Sequence, residues 1–282
     1  DYTSLAREAA TLLTTENIQH YKGEDFEKVL INVYLAINYA LAGDYENALV
    51  EARRVNRKLY MMVTDGQRKY KQNAFAYYLS AVIYEADRQY GDAYIDYKKT
   101  RELIPGYAGL GKDLWRMARK LGDDEDAEKW AQEYKLGAQD KEDARRLLSG
   151  KQGEIIILYE NGISPVKKPH PTFYSIPKFF PRYNPVHYAK VYVDETESAQ
   201  TALLHDIEST AIQNLDEKYA GIIAKKIAGV VAKEIVADQI GRRTHPIIGF
   251  ISRIFFYVSD QADVRSWNLL PKDLQMARIP VE

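Results

Sequence analysis

The chain has 282 residues, 46% of them hydrophobic, with 39 Lys and Arg against 40 Asp and Glu, and no Cys. That length suits about two domains, and the apolar fraction supports packed cores over wholesale disorder. A net charge of −1 excludes a global electrostatic grip on nucleic acid, and the lack of Cys excludes disulfides, Cys-ligated zinc, iron–sulfur clusters and thiol catalysis while leaving the compartment open.

The chain opens on Asp1-Tyr2-Thr3-Ser4-Leu5, a polar, helix-prone segment. No basic stretch followed by an apolar one stands there, so no signal peptide is expected within this sequence; a trimmed N-terminus would read the same way. Residues 3–20 read as a helix covering the open end of the elements that follow. The longest apolar runs, Ile155 to Tyr159, Ile227 to Ala232 and Pro246 to Ile251, fall short of the ~20 residues needed to cross a bilayer.

Proline divides the chain. The first 150 residues hold one, Pro105, and the remaining 132 hold nine. Proline is excluded from helix interiors, so residues 1–150 are predicted to form a helical domain and residues 151–282 an α+β domain. Leu148-Ser149-Gly150-Lys151-Gln152-Gly153 is the expected hinge.

Within the first half, Tyr77, Ala81, Tyr84, Ala93, Tyr97 and Pro105 follow a helix-pair pattern. Small residues stand where two helices cross closely, and a proline ends the unit. A shift of 34 residues gives a degenerate copy through Leu114, Trp115, Ala118, Gly122, Ala127, Ala131 and Tyr134. An upstream copy runs through Leu35, Ala36, Tyr39, Gly43, Tyr45, Ala48 and Ala52, offset by 45, so its second helix is expected to run long, toward Met61. Gly43 would end one helix and Asp44 cap the next. The pattern is that of tetratricopeptide repeats. The predicted fold is therefore an N-terminal tetratricopeptide-type solenoid followed by a smaller α+β domain with a mixed or antiparallel sheet.

The concave face of such a solenoid comes from the first helix of each pair. It would present Leu30, Val33, Tyr34 and Ile37, then Phe75, Tyr78, Leu79, Val82 and Glu85, then Lys112, Arg116, Arg119 and Lys120. A groove that is aromatic at one end and basic at the other suits a partner segment with apolar anchors and an acidic end. Its candidate contact residues are Tyr34, Tyr78, Lys112, Arg116, Arg119 and Lys120. The alternative is that the aromatics pack inside the protein and that Asp123, Asp124, Glu125 and Asp126 balance a solvated basic face.

In the second half, Glu154 to Asn161 reads as a buried strand ended by Asn161-Gly162. Residues 163–186 hold six prolines among aromatics and suit extended edge segments. His187 to Asp194 is expected as a strand, Thr201 to Gln239 as helix in two pieces around Asn214 to Asp216, and Leu274 to Val281 as a last strand. Residues 220–240 carry a broad apolar surface flanked by Lys225, Lys226 and Lys233, which suits packing on a sheet or, less well, contact with a membrane. Asp263, Arg265 and Trp267 form a polar-aromatic cluster in a predicted loop. Either Arg265 grips an anion beside Trp267, or Asp263 pairs with Arg265 to organise the turn.

Catalytic patterns are scarce. The five His residues show no metal-ligand spacing, and no nucleophile elbow, P-loop or dinucleotide fingerprint is present. Neither catalytic residue, cofactor nor metal is assigned, and the balance leans away from an enzyme.

The block Tyr34, Asn38-Tyr39, Gly43-Asp44-Tyr45, Ala48, Glu51, Arg53-Arg54 resembles a family of bacterial tetratricopeptide proteins. So do Glu154 to Gly162 with Pro165-Val166-Lys167-Lys168, and the closing Ala262-Asp263-Val264-Arg265-Ser266-Trp267, Leu270-Pro271, Gln275, Ala277-Arg278. Members look like secreted lipoproteins held at the outer membrane through an N-terminal Cys, which this sequence lacks. The resemblance implies a periplasmic, outer-membrane-anchored adaptor whose partner is another envelope lipoprotein or a cell-wall enzyme. It implies no role for nucleic acid, and membrane contact only through a lipid anchor outside this sequence. The family supplies no catalytic residues to carry over. The leading expectation is a non-enzymatic envelope scaffold. The alternative is a peptidoglycan- or glycan-binding or -processing protein that uses aromatics of residues 172–183 with Arg265 and Trp267.

Overall fold

The computed structural model describes residues 20–64, 73–150, 152–224 and 261–281. The protein is α+β, and its chain falls into two compact units. The larger comprises Asp25–Ser164, Tyr183–Thr210 and Leu269–Glu282; the smaller comprises Asp1–Glu24, Pro165–Arg182 and Ala211–Asn268.

Among the described residues, seven helices precede the first strand: α1 (Asp25–Leu41), α2 (Tyr45–Thr64), α3 (Ala74–Ala86), α4 (Tyr90–Leu103), α5 (Gly109–Leu121), α6 (Asp124–Glu133) and α7 (Ala138–Leu148). Successive helices from α1 to α6 are neighbours, and α7 packs on α5. Gly43, at φ +75°, ends α1 in the left-handed conformation that glycine adopts without penalty. The Asp44 carboxylate then caps α2 by accepting the Asn47 N–H at 3.1 Å. Gly122 and Asp123 repeat the device between α5 and α6, with Asp123 accepting the Asp126 N–H at 2.9 Å. Ala48, Ala81, Ala93, Ala118 and Ala127 are buried at the crossings. Eleven consecutive residues of α3, Ala74 to Tyr84, are buried. A helix apolar on all sides must be covered on all sides, and α3 is flanked by α2 and α4 and meets a strand as well.

That strand belongs to a three-stranded antiparallel sheet in the same unit. The strands are β1 (Gly153–Asn161), β6 (Ala202–Asp206) and β7 (Asp273–Val281), in the order β1-β7-β6, and β6 is the one that reaches α3. The C-terminal strand thus sits in the middle and is buried along most of its length. It pairs with β1 in unbroken register from Gly153 with Val281 to Asn161 with Asp273. A hairpin of β4 (Lys190–Val193) and β5 (Thr196–Gln200) turns at Asp194-Glu195, both at positive φ, as a two-residue hairpin turn requires.

In the smaller unit, β2 (Val166–Pro169) pairs antiparallel with β3 (Pro177–Phe180). The Lys167 ammonium, nearly buried, meets the Glu24 carboxylate at 2.6 Å, and Lys218 meets the same carboxylate at 3.1 Å. Tyr219 donates its hydroxyl to the Pro177 carbonyl at 2.8 Å.

Several expectations are corrected. The compact units do not divide at residue 150: β1 and β7 fall with the helices, and β7 is buried along most of its length. Residues 202–206 are strand, not helix, since β7 offers them a ladder of backbone partners. Helix α8 (207–224) follows and runs unbroken through Asn214 to Asp216. The strand expected over His187 to Asp194 is limited to Lys190–Val193. β1 is an edge strand, so Ile155 and Ile156 are exposed rather than buried. The helix expected over 3–20 (but for His20), the apolar segment 225–240 and the run Pro246 to Ile251 lie outside the described residues. Among the described residues no helix is long and apolar enough to cross a membrane.

Candidate functional site

A buried charged cluster lies where α3, α4 and α5 meet β1 and β7. Arg278, on β7, donates to the Tyr97 hydroxyl at 2.6 Å, to Asp113 at 3.0 Å and to Glu85 at 3.2 Å, and also to Glu154 on β1. Arg116 reaches Glu85 at 2.7 Å and Asp113 at 3.0 Å. Tyr78 donates to Asp113 at 2.6 Å and Tyr97 to Glu85 at 2.7 Å. The rings of Tyr78 and Tyr97 meet edge to face with centroids 5.5 Å apart. Three helices and two strands therefore converge on two guanidinium groups.

The electrostatics follow from the count of groups. Three carboxylates, Glu85, Asp113 and Glu154, face two guanidiniums. Burial alone would raise the Glu85 carboxyl, but Arg116 and Arg278 outweigh it and hold it down to about 2. For Asp113 burial prevails over the same two cations and its carboxyl is raised. The charges are directed at one another, so the chemistry of this cluster is to fasten β7 to the helices.

Two of the openings among the described residues bear on the predicted groove. One, of about 760 Å³, lies between α5, α7 and the strands, with Tyr107, Ala144, Leu203 and Met276 in its walls and Arg116 and Arg278 at its floor. The other, of about 570 Å³, is apolar. Ile37, Phe75, Leu79 and Val82 form one wall, and Ile156 through Glu160 of β1 form the other. At its mouth Leu41 is 78% exposed. Tyr34 hydrogen-bonds Glu160, and burial together with that carboxylate raises the Tyr34 phenol.

These positions revise the predicted groove. Its apolar half exists: Ile37, Phe75, Leu79 and Val82 line an open cleft. Its basic half does not exist as a free surface. Tyr78 and Arg116 are buried in the cluster, Lys112 pairs with Asp140 at 2.7 Å, Arg119 pairs with Asp124, and Lys120 lies 4.8 Å from the Tyr90 ring centre. An acidic partner end would meet Lys112, Arg116 and Arg119 already paired with carboxylates of this chain. Tyr34 is half-buried beside Glu160. In the smaller unit Arg265 holds Asp263 through two hydrogen bonds of 2.8 and 2.7 Å, and its guanidinium lies 5.4 Å from the Tyr21 ring centre. That arrangement fits the turn-organising alternative for Asp263 and Arg265; Trp267 is half-buried nearby. Reasoning from sequence missed Asp113, Tyr97, Glu154 and Arg278 as members of one cluster. The spacing of Asp113 and Arg116, three apart on one helix, was the available signal.

Among the described residues no group of three His, Asp or Glu side chains is placed to hold a metal ion. No known family model matches the chain, and no curated protein sequence matches it significantly.

Proposed function

We propose that this protein is a non-enzymatic, tetratricopeptide-type scaffold of the bacterial cell envelope that holds a partner protein by a segment seated in the apolar cleft between α1, α3 and β1. One observation carries this reading: the cleft between α1, α3 and β1 is lined almost wholly by apolar side chains, whereas Arg116, Lys112 and Arg119 of the predicted groove are taken up by the protein's own carboxylates. A cleft lined mainly by hydrophobic side chains is the usual form of a binding site. Support for the repeat assignment comes from the three successive helix pairs and the small residues at their crossings. The envelope setting, and an anchor upstream of Asp1, rest on the resemblance of the 34–54 and 262–278 blocks. A photo-crosslinking residue in place of Leu41 tests the reading in intact envelopes. One protein should be crosslinked there and lost when Val82 becomes Glu, while a crosslinker at Leu121, on the far end of α5, should not trap it. Equal trapping from both positions would remove the cleft from the account.

A second reading has its own observation. Phe173 and Tyr174 are 59% and 74% exposed, and Phe173 is fixed against His170, whose ring lies 5.4 Å away. Exposed, oriented aromatics suit the apolar face of a sugar. Sedimentation with purified peptidoglycan that is lost on Phe173→Ala would favour it, and sedimentation unchanged by that substitution would dismiss it.

A further inference from the structure

β1 contributes five consecutive residues, Ile156 to Glu160, to the apolar cleft. Side chains of a strand alternate between faces, so an uninterrupted run lining one cleft brings the backbone of β1 to it, and the cleft reaches Leu274 of β7 at the Glu160 end. Among the described residues β1 is paired on one side only, by β7. Resting on the cleft reading above, we propose that the partner segment enters as an added β-strand: an extended peptide with apolar residues at alternate positions, hydrogen-bonded to the open edge of β1.

The form of the edge supports this. Open strands are ordinarily blunted by brevity, bulges, prolines or lysines. β1 has none of these: it runs nine residues, Gly-Glu-Ile-Ile-Ile-Leu-Tyr-Glu-Asn, in unbroken register. The opposite edge of the same sheet is protected. β6 has five residues, a register irregularity between Leu203 and His205, and α3 beside it.

The walls specify the occupant. Phe75, Leu79 and Val82 cover one face of an incoming strand and leave the other toward solvent, which calls for alternating apolar and polar residues. Glu160 is the one charged residue among those lining the cleft, so a Lys or Arg at that end of the peptide is complementary. Five lining residues correspond to a strand of about 17 Å. Helices α1 and α3 wall the same cleft, so the occupant is a lone extended segment and not the sheet edge of a second copy.

The test uses the full chain and a synthetic nine-residue peptide that alternates Val with Ser and ends in Lys, labelled for fluorescence polarisation. Two further peptides carry N-methyl groups on alternate residues, one along each edge. The N–H groups of neighbouring residues point to opposite sides of a strand. One methylated peptide should therefore bind at least about 30-fold more weakly, through three or so lost backbone bonds, while the other stays within about threefold. Leu41→Glu, at the exposed mouth, should weaken the parent peptide without affecting the fold, and Val82→Glu should abolish binding. If the two methylated peptides bind equally yet both substitutions still weaken them, strand addition is overturned and the cleft reading stands. If the parent peptide binds regardless of Leu41 and Val82, both fall. Absence of binding by the parent peptide, or a dimer built on β1, also overturns strand addition.

Discussion

Replacing Arg278 by Met should be among the most damaging single changes in the larger unit. The substitution roughly keeps the side chain's length and removes the charge, leaving Glu85, Asp113 and Glu154 to face Arg116 alone. Arg278 is 10% exposed and Asp113 4%, so water cannot take over the lost partner. Removing one member of a buried ion pair costs about 3–5 kcal/mol, against a total of about 5–15 kcal/mol for an ordinary domain. Urea unfolding followed by circular dichroism and tyrosine fluorescence measures the loss at pH 7. The pH dependence gives an independent check. In the wild type Glu85 is held at about 2, so its contribution is present above the ordinary carboxylate range and is lost as pH falls toward 2. Without Arg278 the cluster's carboxyls rise, the folded form takes up protons first, and the deficit should shrink between pH 7 and 5. Asp113→Asn in the Arg278→Met background should recover about 1–2 kcal/mol by deleting one unpaired carboxylate. A loss below about 1 kcal/mol at pH 7, or one indifferent to pH, would refute the view of this cluster as the fastening of β7.

Other changes have opposed or pH-dependent signs. Gly111→Ala should lower the melting temperature despite the ~1 kcal/mol that alanine gains in a helix, because its Cβ would lie 2.4 Å from that of Tyr134; the same change in a Tyr134→Gly background, where that Cβ is gone, should cost much less. Asp96, buried on α4, has its carboxyl raised to about 6 by burial. A raised carboxyl costs stability as pH climbs from about 4 through 6, so Asp96→Asn should stabilise by about 1–3 kcal/mol at pH 8 and flatten that limb of the stability curve. Glu24→Ala should strand the nearly buried Lys167 and expose the smaller unit to limited proteolysis at protease levels the wild type withstands.

Local devices were legible in the sequence. Gly43-Asp44 and Gly122-Asp123 announce a helix end and a cap through backbone requirements that no distant residue alters. Ala81 and Ala93 announce a close crossing, and both are buried. Pairing across the chain was not legible. Lys112, Arg116, Arg119 and Lys120 look like one basic stripe, but Arg116 is neutralised by Glu85 from another helix and shares its carboxylates with Arg278, more than a hundred residues later. Ala202-Leu203-Leu204 is too short a run to separate a strand from a helix, and the waiting edge of β7 decides it. Proline counts reported where helices could form, and they carried no information on which strands dock against those helices.

The most direct test of the central claim is amide hydrogen exchange on the full chain, with and without the partner trapped from Leu41. Slowed exchange at the edge amides of Ile155 to Tyr159, with α5 to α7 unchanged, is the predicted result. Protection confined to α5–α7, with β1 exchanging as fast as before, would contradict it and move the binding surface to the other opening.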